Sequence, residues 1–507
     1  MLLNSILSGI EFKTNAKQDG LNTEITDIVY DSRKACAGSI FVAIKGETLD
    51  GHKFIQGVRD KGCRVFLGTD DIEIPEDAIY IKVKNARCAL SRMSANFFAH
   101  PSKELTVIGV TGTKGKTTIT TSIAQVLHAN GLSTGIIGTN GARYAGITED
   151  TSNTTPESYE LHRILRNMVN KGVKCVCIEV SSGGLMMHRV DDVNFALALF
   201  TNISPDHIGP KEHPTFDDYL NCKLRLFTLA KHGIVNFDDS YADTIKSYAK
   251  NHGCEIIGFS IDKSAEDSDA RYFAESVKYH DKLASFGSDF ICRDKSDNST
   301  FPYTINVPGK FSIYNALAVI GACHFMGLSN EEIAKAVPNI KVDGRVEVLD
   351  IMPGSTIILD YAHNKTSLEN ILTSLRAYNP SRLLCLFGSV GGRTKLRRKQ
   401  LGEVASKLCD FCIITSEDPR DEDPMTIIND IAACFDESSC DYIKEVNRAK
   451  AVQTAVDMLK PGDVLVLAGK GTETYMYVGG KKIAYDEKQT AIDAVNNRLA
   501  CEAQNSK

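Results

Sequence analysis

Residues 105–131, LTVIGVTGTKGKTTITTSIAQVLHANG, decide the fold. The apolar run LTVIGV predicts a buried strand, TGTKGKTT a glycine-rich loop, and ITTSIAQVLHANG an amphipathic helix stopped by Gly131. In a strand–loop–helix unit of this kind, loop N–H groups and the positive end of the helix both suit phosphate oxygens. Lys116 is placed to reach β- and γ-phosphates, and the Thr117 hydroxyl to bind Mg²⁺. The strict pattern GxxxxGK[ST] is not met, because Val110 occupies its first glycine; a glycine-rich turn that binds nothing is the alternative. The register of GKTT between strand and helix favours a nucleoside triphosphate. Its contacts are then Gly112, Thr113, Lys114, Gly115, Lys116, Thr117 and Thr118.

Working outward, strand-like TGIIG (134–138), helical 157–172 and strand-like VKCVCIEV (173–180) continue the alternation, which predicts a parallel sheet flanked by helices. Glu179 ends the last of these strands, at the sheet edge where open α/β folds bind ligands, and suits a Mg²⁺ ligand beside Thr117. Residues 256–310 are polar and less regular, end in strand-like pieces, and read as an insertion or sheet edge within the central domain. From Asp343 the alternation restarts with STIILD, LENILTSLRAY, LLCLFG, FCIIT, IINDIAACF and VLVLAG. The expected fold is α/β in three domains: a small α/β unit over 1–103, a central P-loop-type parallel-sheet ATPase domain over 104–341, and a C-terminal doubly wound, Rossmann-like domain over 342–507.

Composition agrees. A chain of 507 residues, 43% hydrophobic and 24% charged, can bury several cores of ordinary size. A net charge of -6 argues against a nucleic-acid partner. The opening MLLNSILSGIEFKTNAKQDG has no basic stretch before a long apolar core, and no run is long enough to span a bilayer, so no membrane partner and a cytoplasmic location are expected. The 15 cysteines are expected to stay reduced. Cys409 and Cys412 have CxxC spacing, but Cys412 opens the strand-like CIIT and reads as a core thiol.

TGTKGKTT followed in order by NTTPE, EVSS, TNISPDH, HPTFDDYLNCK, GRVEVLDIM, DYAHN and GKG resembles the Mur ligase family of ATP-dependent amino-acid ligases, over essentially the whole chain. Within the family it is similar to the branch that adds the third residue of the peptidoglycan stem peptide. The resemblance implies that UDP-N-acetylmuramoyl-L-Ala-D-Glu, ATP and a diamino acid meet in a monomer, through an acyl phosphate that closing domains shield from water. It implies that Lys116, Glu179, His207 and Lys223 are catalytic, and that Thr117, Glu179, His207 and Lys223 hold Mg²⁺, Lys223 as N6-carboxylysine formed with CO₂. It places Asn315, Arg345 and His363 near the nucleotide. Ser32, Thr48, Leu49 and Asp50 are expected at the uridine diphosphate, and Asn153, Thr154, Thr155, Ser181 and Arg189 at the muramoyl-dipeptide. Arg393, Glu417, Asp418, Pro419, Arg420, Gly469 and Glu473 are expected at the amino acid.

Some residues depart from the family pattern. EDPR (417–420) replaces DNPR and GKGTE (469–473) replaces GKGHE, while Thr394 and Lys365 stand where aspartate and proline are common. Gly183 and Met187 replace a histidine and a glutamine near the dipeptide positions. Arg420 would pair with the distal carboxylate of meso-2,6-diaminopimelate, which lysine lacks, and Glu473 would accept the distal ammonium; diaminopimelate is favoured over L-lysine. A folate-glutamate type ligase and a non-enzymatic P-loop switch are the alternatives. The DSR and DGH of the N-terminal block disfavour the first, and the intact Thr117, Glu179, His207 and Lys223 the second.

Overall fold

Apolar runs bounded by turn residues become parallel strands in a computed structural model, which describes all residues except 47–48, 76, 206–207, 210–211, 265, 281–285, 393, 436–439 and 506–507. The chain forms two compact units, one chiefly Met1–Asp262 with Ala318–Leu328, the other chiefly Tyr272–Leu317 with Ser329–Lys507. Among the described residues, no helix is long and apolar enough to cross a membrane.

In the first unit, β1 (Lys13–Thr14), β2 (Asp27–Val29), β3 (Ser39–Val42), β4 (Val65–Gly68) and β5 (Ile79–Lys82) form a sheet of order β1-β5-β4-β3-β2. Strands β2 to β5 run parallel, and β1 is antiparallel to β5. A second sheet holds β6 (Thr106–Thr111), β7 (Thr134–Gly138), β8 (Gly141–Tyr144), β9 (Ile147–Glu149), β10 (Cys175–Glu179), β11 (Phe195–Phe200), β12 (Ala230–Asn236) and β13 (Glu255–Ser260). Their order is β13-β12-β11-β6-β10-β7-β8-β9. Every residue of β10 is buried, as a central parallel strand covered on both faces requires. The helix Ser158–Asn170 buries Leu161, Ile164, Leu165 and Met168, a helical stripe in which each side chain contributes roughly 1.5–3 kcal/mol of burial.

In the second unit, β14 (Tyr272–Tyr279), β15 (Ser288–Asp294) and β16 (Ser299–Ile305) make an antiparallel meander. This stretch, read from sequence as an insertion or sheet edge, packs on the C-terminal core: Phe286, between β14 and β15, shares a cluster with Leu375 and Tyr378, and Val307 and Phe311 lie against it. The main sheet has β17 (Glu347–Leu349), β18 (Thr356–Asp360), β19 (Leu383–Phe387), β20 (Phe411–Thr415), β21 (Asp441–Glu445) and β22 (Val464–Ala468), in the order β17-β18-β22-β19-β20-β21. All but β17 run parallel. A hairpin of β23 (Tyr475–Val478) and β24 (Lys481–Ala484) follows. Cys409 and Cys412 are buried in the core of this sheet.

Candidate active site

The loop after β6 is shaped by two glycines. Gly115, at φ 88°, precedes the helix Lys116–Ala129. Gly112 has φ 139°, and a Cβ there would collide with Thr201 Oγ1 and lie 3.0 Å from Asn202 O. The glycine that the loop needs is therefore Gly112, while Val110 is fully buried in β6. The loop lies on the segment after β11: Thr113 N–H donates to Asn202 O (2.9 Å), Lys114 N–H to Asn202 Oδ1 (3.0 Å), and Thr201 Oγ1 to Lys114 O (2.6 Å). Lys116 Nζ turns back to donate to Gly112 O (2.8 Å) and Thr113 O (3.1 Å), which keeps its ammonium over the loop.

Glu179, at the carboxyl end of β10, is 2% exposed. Thr117 Oγ1 donates to its Oε2 (2.9 Å), Thr139 N–H to its Oε1 (2.9 Å) and Thr139 Oγ1 to Oε2 (3.2 Å). Hard oxygen atoms of Thr117 and Glu179 thus meet at the loop, a donor set that fits Mg²⁺. On the helix Phe216–Leu224, Tyr219 and Lys223 share a face four residues apart. The Tyr219 hydroxyl lies 3.2 Å from Thr113 Oγ1, and the buried Lys223 Nζ donates to Gly112 O (2.9 Å) while lying 4.6 Å from the Tyr219 ring centre. His207 lies outside the described residues.

The dipeptide candidates adjoin this cluster. Thr155 Oγ1 donates to the carbonyl of Glu179 (2.8 Å) and accepts Ser181 N–H (2.9 Å), and Ser181 Oγ accepts Gly184 N–H (3.0 Å). The Thr154 and Thr139 hydroxyls lie 3.1 Å apart. Asn153 is exposed. Arg189, expected to grip a ligand anion, already donates from Nε to Glu157 Oε1 (2.8 Å) and from Nη1 to Thr155 O (3.0 Å). Arg87 holds the other oxygen of Glu157 (2.9 Å).

In the N-terminal sheet, Ser32 and Asp50 follow the carboxyl ends of the adjacent parallel strands β2 and β3, hence one edge. Asp50 accepts His52 N–H (3.0 Å) and lies 2.6 Å from His52 Nδ1, the contact that chiefly holds its carboxyl below the usual range. Leu49 is 67% exposed, and Thr48 lies outside the described residues.

The amino-acid candidates gather in the second unit, in segments that follow β20 and β22. Lys470, fully buried, donates to Asp418 Oδ1 (2.9 Å) and Glu473 Oε2 (2.6 Å). Tyr361 OH donates to Glu473 Oε1 (2.6 Å), so the carboxylate expected to take a ligand ammonium is already shared by two donors. Burial pushes the Glu417 carboxyl up to about 7. The Gly469 backbone lies against Glu417: a Cβ there would be 3.0 Å from Oε2. Pro419 precedes Arg420, which is half-buried at φ 55°; its N–H donates to Tyr477 O (2.9 Å) and its carbonyl accepts Gly479 N–H (2.6 Å). The Arg345 guanidinium lies 4.8 Å from the Tyr361 ring centre, and His363 Nδ1 is 2.8 Å from Tyr361 O. Asn315 is half-buried on the helix Lys310–Phe325, and Arg393 lies outside the described residues.

Comparison with known proteins gives a match to the Mur ligase middle domain at residues 110–323, to the Mur ligase glutamate ligase domain at 344–471, and to the Mur ligase family catalytic domain at 24–98. A Clostridium perfringens protein named UDP-N-acetylmuramoyl-L-alanyl-D-glutamate–2,6-diaminopimelate ligase is 37% identical, across 98% of this chain and all of its own. The chain belongs to the Mur ligase family. A Clostridioides difficile Mur ligase of the same name is 35% identical over 98% of the chain and its own full length. Among solved Mur ligases, one of that name superposes with a TM-score of 0.70 at 24% identity, covering 98% of this chain and 99% of its own. MurF ligase from Thermotoga maritima, in complex with ADP, reaches 0.60 at 17% identity, covering 96% and 99%.

Several residues of this Mur ligase escaped the reading of its sequence. Tyr219 and Asn202 contact the glycine loop, Thr139 holds Glu179, and Glu157 engages Arg189. Lys470 stood inside GKGTE, read for its glycine and glutamate alone; a lysine between acidic candidates was the available signal.

Proposed function

We propose that this Mur ligase adds a diamino acid, meso-2,6-diaminopimelate, to the D-glutamate of UDP-N-acetylmuramoyl-L-alanyl-D-glutamate, using ATP, in cytoplasmic peptidoglycan precursor synthesis. The Thr117–Glu179 contact at the mouth of the glycine loop carries the reading, and whole-length likeness to ligases of that name supports the choice of substrates. In the proposed division, residues 1–103 hold the uridine diphosphate, 104–341 the ATP and 342–507 the amino acid, in a monomer.

The chemistry begins with two anions that repel. A carboxylate oxygen of the acceptor attacks the γ-phosphorus and ADP leaves, giving an acyl phosphate; the amine nitrogen then attacks the acyl carbon, phosphate leaves, and the amine gives up its proton. Loop N–H groups and Lys116 offset the crowded negative charge. Thr117 and Glu179 would hold Mg²⁺, joined by His207 and by Lys223 as N6-carboxylysine, and the ion supplies positive charge to phosphate oxygens. Burial of Lys223 favours the neutral amine that carbamate formation requires. Arg420 would pair with the distal carboxylate of diaminopimelate.

The test is phosphate release from ATP and Mg²⁺ with UDP-N-acetylmuramoyl-L-Ala-D-Glu and a panel of diamino acids, with mass detection of product. Release only when the acceptor and diaminopimelate are both present is expected. Product with lysine alone would reassign the amino acid, and release without the acceptor would refute the reading.

A further inference from the structure

The segment after β20, which carries Glu417, Asp418, Pro419 and Arg420, is tied to the turn after β19 by a side chain that belongs to neither. Arg398, on the helix Lys395–Leu408, is 1% exposed. Its Nη2 donates to Glu422 Oε2 (2.7 Å) and its Nη1 to Asp430 Oδ2 (2.9 Å). The other oxygen of Glu422 accepts Gly392 N–H at 2.6 Å, and Glu422 N–H donates to Pro419 O (3.1 Å). One carboxylate therefore joins the turn after β19 to the segment after β20.

The joint is close-fitting. Gly391 N–H donates to Asp418 O (2.8 Å), and a Cβ on Gly391 would lie 2.8 Å from the Pro419 carbonyl carbon. Gly392, at φ 66°, lies alongside the Arg420 side chain: a Cβ there would be 3.8 Å from Arg420 Cδ and 3.9 Å from its Nη1. Moving this turn removes the wall along which Arg420 runs.

Stability alone gives a poor reason for Arg398. Among the described residues its Nε makes no hydrogen bond, and a buried ion pair replaced by an apolar side chain of like volume is often neutral or stabilising. Glu422 and Asp430 are 35% and 33% exposed, so water can solvate them once Arg398 is gone.

We propose that Arg398 is a positioning residue for amino-acid selection: through Glu422 it fixes the Gly391–Gly392 turn against residues 418–420 and so sets the direction of the Arg420 guanidinium. This rests on the ligase reading above, and deepens it.

The experiment uses the full chain with Arg398→Met and, because its side chain reaches solvent, Glu422→Gln. Each should raise the KM for diaminopimelate on the order of tenfold to a hundredfold, as an ångström of misplacement does, with KM for ATP and for the UDP-linked acceptor within about twofold. The double variant should be no worse than the weaker single one, and deuterium exchange at Gly391 and Gly392 should quicken. An equal rise in all three KM values, or an unchanged diaminopimelate KM in both folded variants, overturns the proposal. A wild-type chain that releases no phosphate with any diamino acid refutes the ligase reading instead. Exchange at Gly392 then decides the joint by itself: unchanged protection in both variants overturns it.

Discussion

Gly138→Ala tests the proposed metal-binding arrangement through a methyl group placed behind it. Gly138 closes β7, paired with Gly141 of β8, and its φ lies outside the left-handed region, so alanine brings no backbone strain. The new Cβ would stand 2.7 Å from Glu179 Cδ and 2.8 Å from Cγ, and would collide with Oε1. Carbon atoms rest at about 3.5–4.0 Å, so the carboxylate must retreat by about 1 Å. That retreat loosens its bonds to Thr117 and Thr139. Charge-assisted hydrogen bonds are worth roughly 1.5–3 kcal/mol and overpacking costs about 1–3 kcal/mol, which together give a stability loss of about 2.5–6 kcal/mol. Turnover should fall on the order of a hundredfold, because an ångström at a charge-bearing ligand is felt in the transition state. Urea unfolding measures the first quantity. Phosphate release across a Mg²⁺ titration measures the second, and the midpoint should move to higher Mg²⁺. A folded Gly138→Ala protein with wild-type Mg²⁺ dependence would show that Glu179 does not act through the metal.

Lys116→Ala should abolish turnover, and full activity in the phosphate-release assay would remove the loop assignment. Arg420→Ala should raise the KM for diaminopimelate at least tenfold more than that for ATP; an unchanged preference between diaminopimelate and lysine would place the selector elsewhere. His162 is fully buried, neither ring nitrogen is hydrogen-bonded among the described residues, and burial pulls its pKa down to about 3 from 6.5. Only the unfolded chain protonates it between pH 6.5 and 4, so wild type should lose about 3 kcal/mol relative to His162→Leu on acidification, and parallel pH profiles in urea would contradict this. Glu417 runs the other way. Its raised pKa of about 7 gives stability that is fully present below pH 4.5 and lost as pH climbs to about 7. Glu417→Gln should therefore gain about 3 kcal/mol on wild type over that window, read from the same curves.

The strands and helices were legible because local pattern and tertiary burial agree. VKCVCIEV became the wholly buried β10, and 157–172 became the helix Ser158–Asn170 with its stripe inward. Lys116, Thr117 and Glu179 could be singled out because phosphate chemistry constrains residue type and spacing together, and the structure brings Thr117 and Glu179 within 2.9 Å of each other. Residues 272–305 were legible only as an insertion or sheet edge ending in strand-like pieces, because the short strands of the meander mix polar and apolar residues and Phe286 finds its partners Leu375 and Tyr378 far along the chain. Tyr219 was hidden for a similar reason: aromatic residues on a helix usually signal core, and only the fold brings its hydroxyl to Thr113.

The acidic departures in 417–473 acquire a meaning from Lys470. Asp418, standing where the family pattern has a neutral asparagine, adds a buried negative charge, and Lys470 takes it up at 2.9 Å while also holding Glu473. A ligand ammonium that sought Glu473 would compete with a lysine already inside the protein and with Tyr361. Ammonium recognition at this carboxylate is thus a weak basis for choosing among diamino acids, all of which carry a distal ammonium. The distal carboxylate differs between them, and half-buried Arg420, with its left-handed backbone and flanked by Gly392, is the cation whose loss of a partner would penalise lysine. On the proposed reading, changing EDPR to DNPR should then leave the preference for diaminopimelate intact, whereas any change that frees the Gly391–Gly392 turn should erode it.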